Sequence, residues 1–125
     1  MIPISTPDAP AAIGPYSQAV RTGDLLFVSG QLPIDPATGG FVPGDATDQM
    51  RQCLANIAAI AKAAGTDISR TVKTTILLTD LGGFAEINEV YGAAFTAPFP
   101  ARACYEVSAL PKGAMVEVEA VIACP

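Results

Sequence analysis

Apolar residues recur at helical spacing along one stretch of the chain, at Met50, Cys53, Leu54, Ile57, Ile60, Ala61 and Ala64. This stripe predicts an amphipathic helix. Asp45 or Thr47 is placed to cap its start and Gly65 to stop it, while Asp48, Arg51, Gln52 and Lys62 lie off the stripe, toward water. A second stripe, Phe84, Ile87, Tyr91 and Phe95, predicts a helix over 83–96 that Pro98 and Pro100 end, with Asn88 beside Ile87. Between the two, residues 69–79 are β-branched and alternating, which predicts a strand with Val72, Thr74, Ile76 and Leu78 on one side.

The remaining pattern is shorter in period. Residues 2–5 form a β-prone start, and a Pro/Ala-rich loop follows as far as Ile13, Gly14 and Pro15. Segments 17–21 and 25–29 flank Thr22, Gly23 and Asp24, which read as a hairpin turn. Segment 32–43 carries three prolines and two glycines and reads as a long loop. The last two strands, 101–108 and 114–123, are joined through Leu110, Pro111, Lys112 and Gly113. The order β-β-β-α-β-α-β-β predicts an α+β domain with two helices covering one face of a sheet.

Composition adds a partner to this picture. A chain of 125 residues predicts one domain spanning 1–125 with a thin core. Half of its residues are apolar, 15% are charged and the mean hydropathy is +0.40. That much apolar surface predicts an oligomer, which would also cover the second sheet face. The uncharged apolar run 53–61 is far too short to span a bilayer, and the N-terminal segment shows no secretion signal. Three cysteines without a C-x-x-C pair complete a cytosolic pattern.

Net charge is −5 and the seven basic residues are scattered, which weighs against a nucleic-acid partner. The chain has no histidine, so Ser-His-Asp and Cys-His catalysis and histidine metal ligation are excluded. The Gly39–Gly40 and Gly82–Gly83 pairs read as turns, not phosphate cradles.

The densest candidate chemistry lies at 100–113. Alternation along a strand puts Arg102, Cys104 and Glu106 on one face and Ala103, Tyr105 and Val107 on the other. On the last strand Glu117 and Glu119 share a face, opposite Val116, Val118 and Ala120. A guanidinium removed from water needs an anion, and its planar fork suits a carboxylate. From spacing alone, a salt bridge between Arg102 and a glutamate is the better account, ahead of a ligand carboxylate. Cys104 reads as a small strand residue, because no histidine can deprotonate it. Tyr16 could wall a pocket or pin its loop to the core. Ser29, Gly30 and Gln31 end a strand, and Gly30 permits either close backbone approach of a ligand or a tight turn.

The motifs GPYSQAV (14–20), LLFVSGQLPIDPATGG (25–40) and PARACYEVSALPKGAMVEVEAVI (100–122), with the long central helix, resemble the RidA/YjgF family, also called endoribonuclease L-PSP. The resemblance covers essentially the whole chain. It implies a chorismate-mutase-like α+β fold with a mixed six-stranded sheet, and a homotrimer with sites in the clefts between subunits. It further implies a cofactor-free 2-iminobutanoate/2-iminopropanoate deaminase. Such an enzyme hydrolyses reactive enamines and imines, such as 2-aminoacrylate and 2-aminocrotonate, to 2-oxo acids and ammonia.

Carried over by motif, Arg102 binds the substrate carboxylate, Glu117 positions the attacking water, and Cys104 lines the site. Tyr16 and Ser29, with Gly30 beside it, wall the pocket, and Asn88 joins them from the second helix. Where the family often reads RSCVEV or RVAVEV, this chain reads RACYEV. The variable Ala103 and Tyr105 face away from Arg102 and bear on packing or the trimer interface. Two other readings stand beside the deaminase: a trimer that binds 2-oxo acids without turnover, and an endoribonuclease or translation inhibitor.

Overall fold

The computed structural model describes residues 1–125. Eight elements follow the predicted order: β1 (Ile2–Ile4), β2 (Ala19–Thr22), β3 (Leu25–Gln31), α1 (Ala46–Ala63), β4 (Thr71–Leu78), α2 (Phe84–Ala93), β5 (Ala101–Glu106) and β6 (Val116–Ala123). The strands make one sheet in the order β1-β2-β3-β6-β4-β5. Only the β4–β5 pair is parallel, because α2 carries the chain back between them; the other pairs are antiparallel.

Local chemistry accounts for the element ends. Asp45 caps α1, accepting from the backbone N–H groups of Thr47 (3.0 Å) and Asp48 (3.2 Å), while the Asp48 carboxylate accepts from the Asp45 N–H (3.0 Å). At the other end Gly65 takes φ +83, and bonds from Gly65 N to Lys62 O and Thr66 N to Ala61 O close a Schellman motif. The helix buries Met50, Cys53, Leu54, Ile57, Ile60 and Ala61, as its stripe predicts. These side chains meet Leu26, Val28, Ile76, Leu78, Val116, Val118 and Ile122 of the sheet in one core.

One strand position is a correction. Val72 does not join Thr74, Ile76 and Leu78 on the buried side; it is 45% exposed, and Thr71 is buried instead. The pairing of β4 with β6 slips between Thr71 and Lys73, and this irregularity breaks the strict alternation. Smaller differences lie at element ends: β2 starts at Ala19, β5 stops at Glu106, β6 starts at Val116 and α2 stops at Ala93.

Both helices pack on one face of the sheet. The other face leaves Leu25, Phe27 and Tyr105 at 39%, 42% and 57% exposed. No helix is long and apolar enough to cross a membrane.

Candidate functional site

The seven candidate side chains gather into two groups. The first is built by β5 and α2. The register pairs Thr74 with Arg102, Ile76 with Cys104 and Leu78 with Glu106, so this row of β5 looks toward the helices. On α2, Phe84, Asn88 and Tyr91 are spaced four and three residues apart and share a helix face. That face meets Arg102. Arg102 Nη1 donates to Asn88 Oδ1 at 2.6 Å, and the guanidinium carbon lies 5.4 Å from the Phe84 ring centre and 5.0 Å from that of Tyr91.

Arg102 has no carboxylate partner, since the only ion pair in the chain joins Arg51 to Asp48. The salt bridge that spacing alone favours is therefore absent. Glu106 is used elsewhere, accepting from the backbone N–H of Leu81 at 3.0 Å. Cys104 is half-buried behind Arg102; burial pushes its thiol pKa up and the guanidinium draws it part of the way back. A thiol held protonated in this way is a poor nucleophile.

The second group lines a cleft of ≈ 700 Å³ that contains Ile13, Tyr16, Ser29, Gly30, Lys112 and Glu117. The β3–β6 register runs from Val28 opposite Ala120 to Gln31 opposite Val118, so Ser29 and Gly30 together face one residue, Glu119. This bulge turns β3 aside and opens the cleft. A methyl group on Gly30 would sit 2.9 Å from Glu117 Cδ and Oε1, so the carboxylate lies directly against the glycine. Burial raises the Glu117 pKa above the ordinary glutamate range, and the like charge of Glu119 raises it further. Ser29 Oγ donates to Ser17 O at 2.6 Å, which leaves its lone pairs as acceptors toward the cleft. Tyr16 is half-exposed at the rim, where its hydroxyl accepts a long bond, 3.4 Å, from the Ile13 N–H.

Buried amides hold this cleft in shape. Gln18 Nε2 donates to Thr6 O (3.0 Å), Ala9 O (3.3 Å) and Pro10 O (2.8 Å), and Gln18 Oε1 accepts from Thr6 N (2.7 Å). Asn56 on α1 donates to Leu32 O (3.1 Å) and Ile34 O (3.0 Å), tying down the loop beyond the bulge. Lys112, at φ +58, sits in the turn between β5 and β6 and contributes to the cleft.

The two groups lie on opposite faces of the sheet. Val116, Val118, Ala120 and Ile122 fill the core, so Glu117 and Glu119, in alternation with them, look the other way. Arg102 looks toward the helices. One chain thus carries a cationic group on one face and an acidic cleft on the other, which do not converge within it. Nowhere do three or more Cys, Asp or Glu side chains gather as metal ligands.

Residues 6–124 match the family described as endoribonuclease L-PSP. The chain belongs to this family, that of RidA and YjgF. A RutC family protein of Sinorhizobium fredii is 72% identical over 96% of this chain and 95% of its own length. A 2-iminobutanoate/2-iminopropanoate deaminase of Capra hircus is 53% identical over 94% of this chain and 86% of its own. The crystal structure of RidA from Psychrobacter superposes with a TM-score of 0.92 at 47% identity, covering 96% of this chain and 97% of that one.

The structure brings Arg102, Asn88 and Cys104 together and Tyr16, Ser29, Gly30 and Glu117 together, and it adds groups that the motifs did not single out. Phe84 and Tyr91 read as core on a helical stripe; their i, i+4, i+7 relation with Asn88 was the available signal. Gln18, Asn56 and Lys112 carried no signal beyond their neighbours in the motifs.

Proposed function

We propose that the chain is a 2-iminobutanoate/2-iminopropanoate deaminase, working in the cytosol as a homotrimer of one 1–125 domain. The observation that carries this reading is Arg102. It is a cation without a carboxylate partner, held ready by Asn88 and two aromatic rings. Such a group suits a small planar carboxylate, which a guanidinium binds through two parallel hydrogen bonds.

In the reaction, the enamine tautomerises to the imine and Arg102 fixes its carboxylate. Glu117 takes a proton from water as the water oxygen bonds to the imine carbon, and passes that proton to the nitrogen, which becomes an amine. The resulting carbinolamine expels ammonia and leaves the 2-oxo acid, so one imine and one water give one oxo acid and one ammonia. A raised carboxylate pKa brings Glu117 nearer the working pH, where a base is most effective. Ser29 accepts from the nitrogen side, and Tyr16 and Cys104 close the walls. Because the intermediate hydrolyses unaided, orientation and one base are sufficient catalysis.

The exposed Leu25, Phe27 and Tyr105 supply a surface for trimer contact, and a neighbouring copy would bring its Glu117 half to this copy's Arg102 half. Two measurements test this reading. Added to a threonine dehydratase assay with semicarbazide as trap, the protein lowers semicarbazone yield. Arg102→Ala and Glu117→Ala copies, each inactive alone, recover about a quarter of wild-type activity when co-expressed in equal amounts, because random assembly leaves about one site in four with both residues intact. Binding of 2-oxobutanoate with no effect on the trap would instead favour a non-catalytic binding protein. Failure of the mixed copies to recover activity would sink the shared-site reading.

A further inference from the structure

An arginine at the edge of a sheet, with no carboxylate to hold it, samples many rotamers, and ordering it on ligand binding costs affinity. Arg102 is in that position: β5 is the edge strand and the side chain is exposed. Asn88 is exposed too, and Phe84 is only partly covered. Tyr91 differs. Its side chain is 4% exposed, and its ring packs on Phe95 with centres 4.9 Å apart.

The Tyr91 hydroxyl shares a 2.7 Å hydrogen bond with the hydroxyl of Thr74, which is 1% exposed. Thr74 is also the residue paired with Arg102 across β4 and β5. The three therefore close a triangle: Thr74 stands beside Arg102 in the sheet, Tyr91 is bonded to Thr74, and the Arg102 guanidinium lies over the Tyr91 ring. A buried hydroxyl must be paired, so the Thr74 bond selects one position for the ring. The ring face then attracts the guanidinium at that position. Asn88 takes one N–H of Nη1 and leaves the other donors of the fork to a ligand.

We propose that Tyr91, fixed by Thr74, is a positioning residue that presets the guanidinium of Arg102 for a ligand carboxylate. This deepens the deaminase reading and rests on it for the identity of the carboxylate. It gives the Thr74 and Tyr91 hydroxyls a role in affinity that core packing alone does not require.

The test compares Tyr91→Leu, Tyr91→Phe and Thr74→Val with wild type in the assembled protein, using 2-oxobutanoate as the probe. Tyr91→Leu weakens 2-oxobutanoate binding roughly 10-fold and raises KM by a similar factor, with kcat nearly unchanged. Tyr91→Phe and Thr74→Val each keep the ring but lose the hydroxyl bond that fixes it, and both fall between wild type and Tyr91→Leu. A purely structural Tyr91 would lower the melting temperature and leave affinity and KM where they were, and that result overturns the proposal.

A second readout does not depend on the reaction. The order parameter of the Arg102 Nε–H by 15N relaxation is high in wild type and falls below about 0.6 in Tyr91→Leu. If wild type neither binds 2-oxobutanoate nor deaminates, the functional reading fails, and this order parameter still decides on the preset arginine. If Tyr91→Leu does not fold, Tyr91→Phe and Thr74→Val carry the same comparison; an Arg102 order parameter unchanged in both overturns it.

Discussion

The Arg102 half and the Glu117 half of the site are built in contrasting ways. Arg102 stands on a regular strand and is held by a regular helix, through one 2.6 Å hydrogen bond and two aromatic rings. Glu117 lies in a cleft shaped by a bulge at Ser29 and Gly30, a lysine at φ +58 and loops tied by buried amides. A static charge that only holds a ligand needs fixed geometry, which paired elements supply. A reactive carboxylate needs partial loss of water and a like-charged neighbour, and irregular backbone is how a sheet re-aims a side chain into such a place. On the proposed reading, regular structure carries orientation and distorted structure carries reactivity.

If that division is right, substitutions in the two halves fail differently. Arg102→Ala removes the anchor, and kcat/KM falls by roughly 10³-fold, with loss of 2-oxobutanoate binding by calorimetry. Arg102→Lys recovers only part, because a point charge lacks the planar fork. Glu117→Gln lowers kcat by about 10²-fold and leaves 2-oxobutanoate affinity near wild type. The contrast breaks if Glu117→Gln abolishes binding or if Arg102→Ala changes kcat alone.

Gly30→Ala probes the distortion itself. An added methyl would meet Glu117 Cδ and Oε1 at 2.9 Å, so the carboxylate must move. The φ angle of Gly30 is not in the left-handed region, so alanine brings no backbone strain there. Turnover falls roughly 10-fold with an unchanged melting temperature, as expected when a reacting group is misplaced by a fraction of an ångström. A melting temperature that falls in step with activity would assign Gly30 to the fold and not to the cleft.

The order of elements and both helix stripes were legible in the chain because each rests on local periodicity. Asp45 and Gly65 were legible as α1 boundaries for the same reason: a cap and a stop act within a few residues. Val72 was not, since a bulge depends on the partner strand β6. Nor could the chain alone tell the register on β4, where Arg102 pairs with Thr74 and Glu117 with Leu77, and this register puts the two on opposite faces. The motifs single out both residues as candidates, and their opposite faces emerge only from the strand register. Tyr91 was legible as buried but not as a support for Arg102, because a helical stripe does not distinguish a ring that fills the core from one that also faces a cation. The polar side chains of Gln18 and Asn56 gave no sign of burial, which follows from the backbone carbonyls they satisfy.

The smallest expected effect isolates the neighbour charge. Burial is the larger cause of the raised Glu117 pKa and Glu119 the smaller. The acidic limb of the kcat profile therefore lies above the ordinary glutamate value of about 4.3. Glu119→Gln removes the like charge, eases ionisation of Glu117 and moves that limb to lower pH, while a limb that stays in place would leave burial as the whole cause. The same shift has a stability consequence. The folded chain holds the Glu117 proton to higher pH than the unfolded chain, so in that window the folded state binds more protons and stability falls as pH rises. Above it, ionised Glu117 opposes folding. Glu119→Gln narrows the window and raises the melting temperature slightly at neutral pH, measured at constant protein concentration to keep assembly fixed. Asn88 bonds to Arg102 on the opposite face of the sheet from Glu117, so a substitution there acts first on affinity. Separate responses, with pH at one half and affinity at the other, are what two differently built halves require.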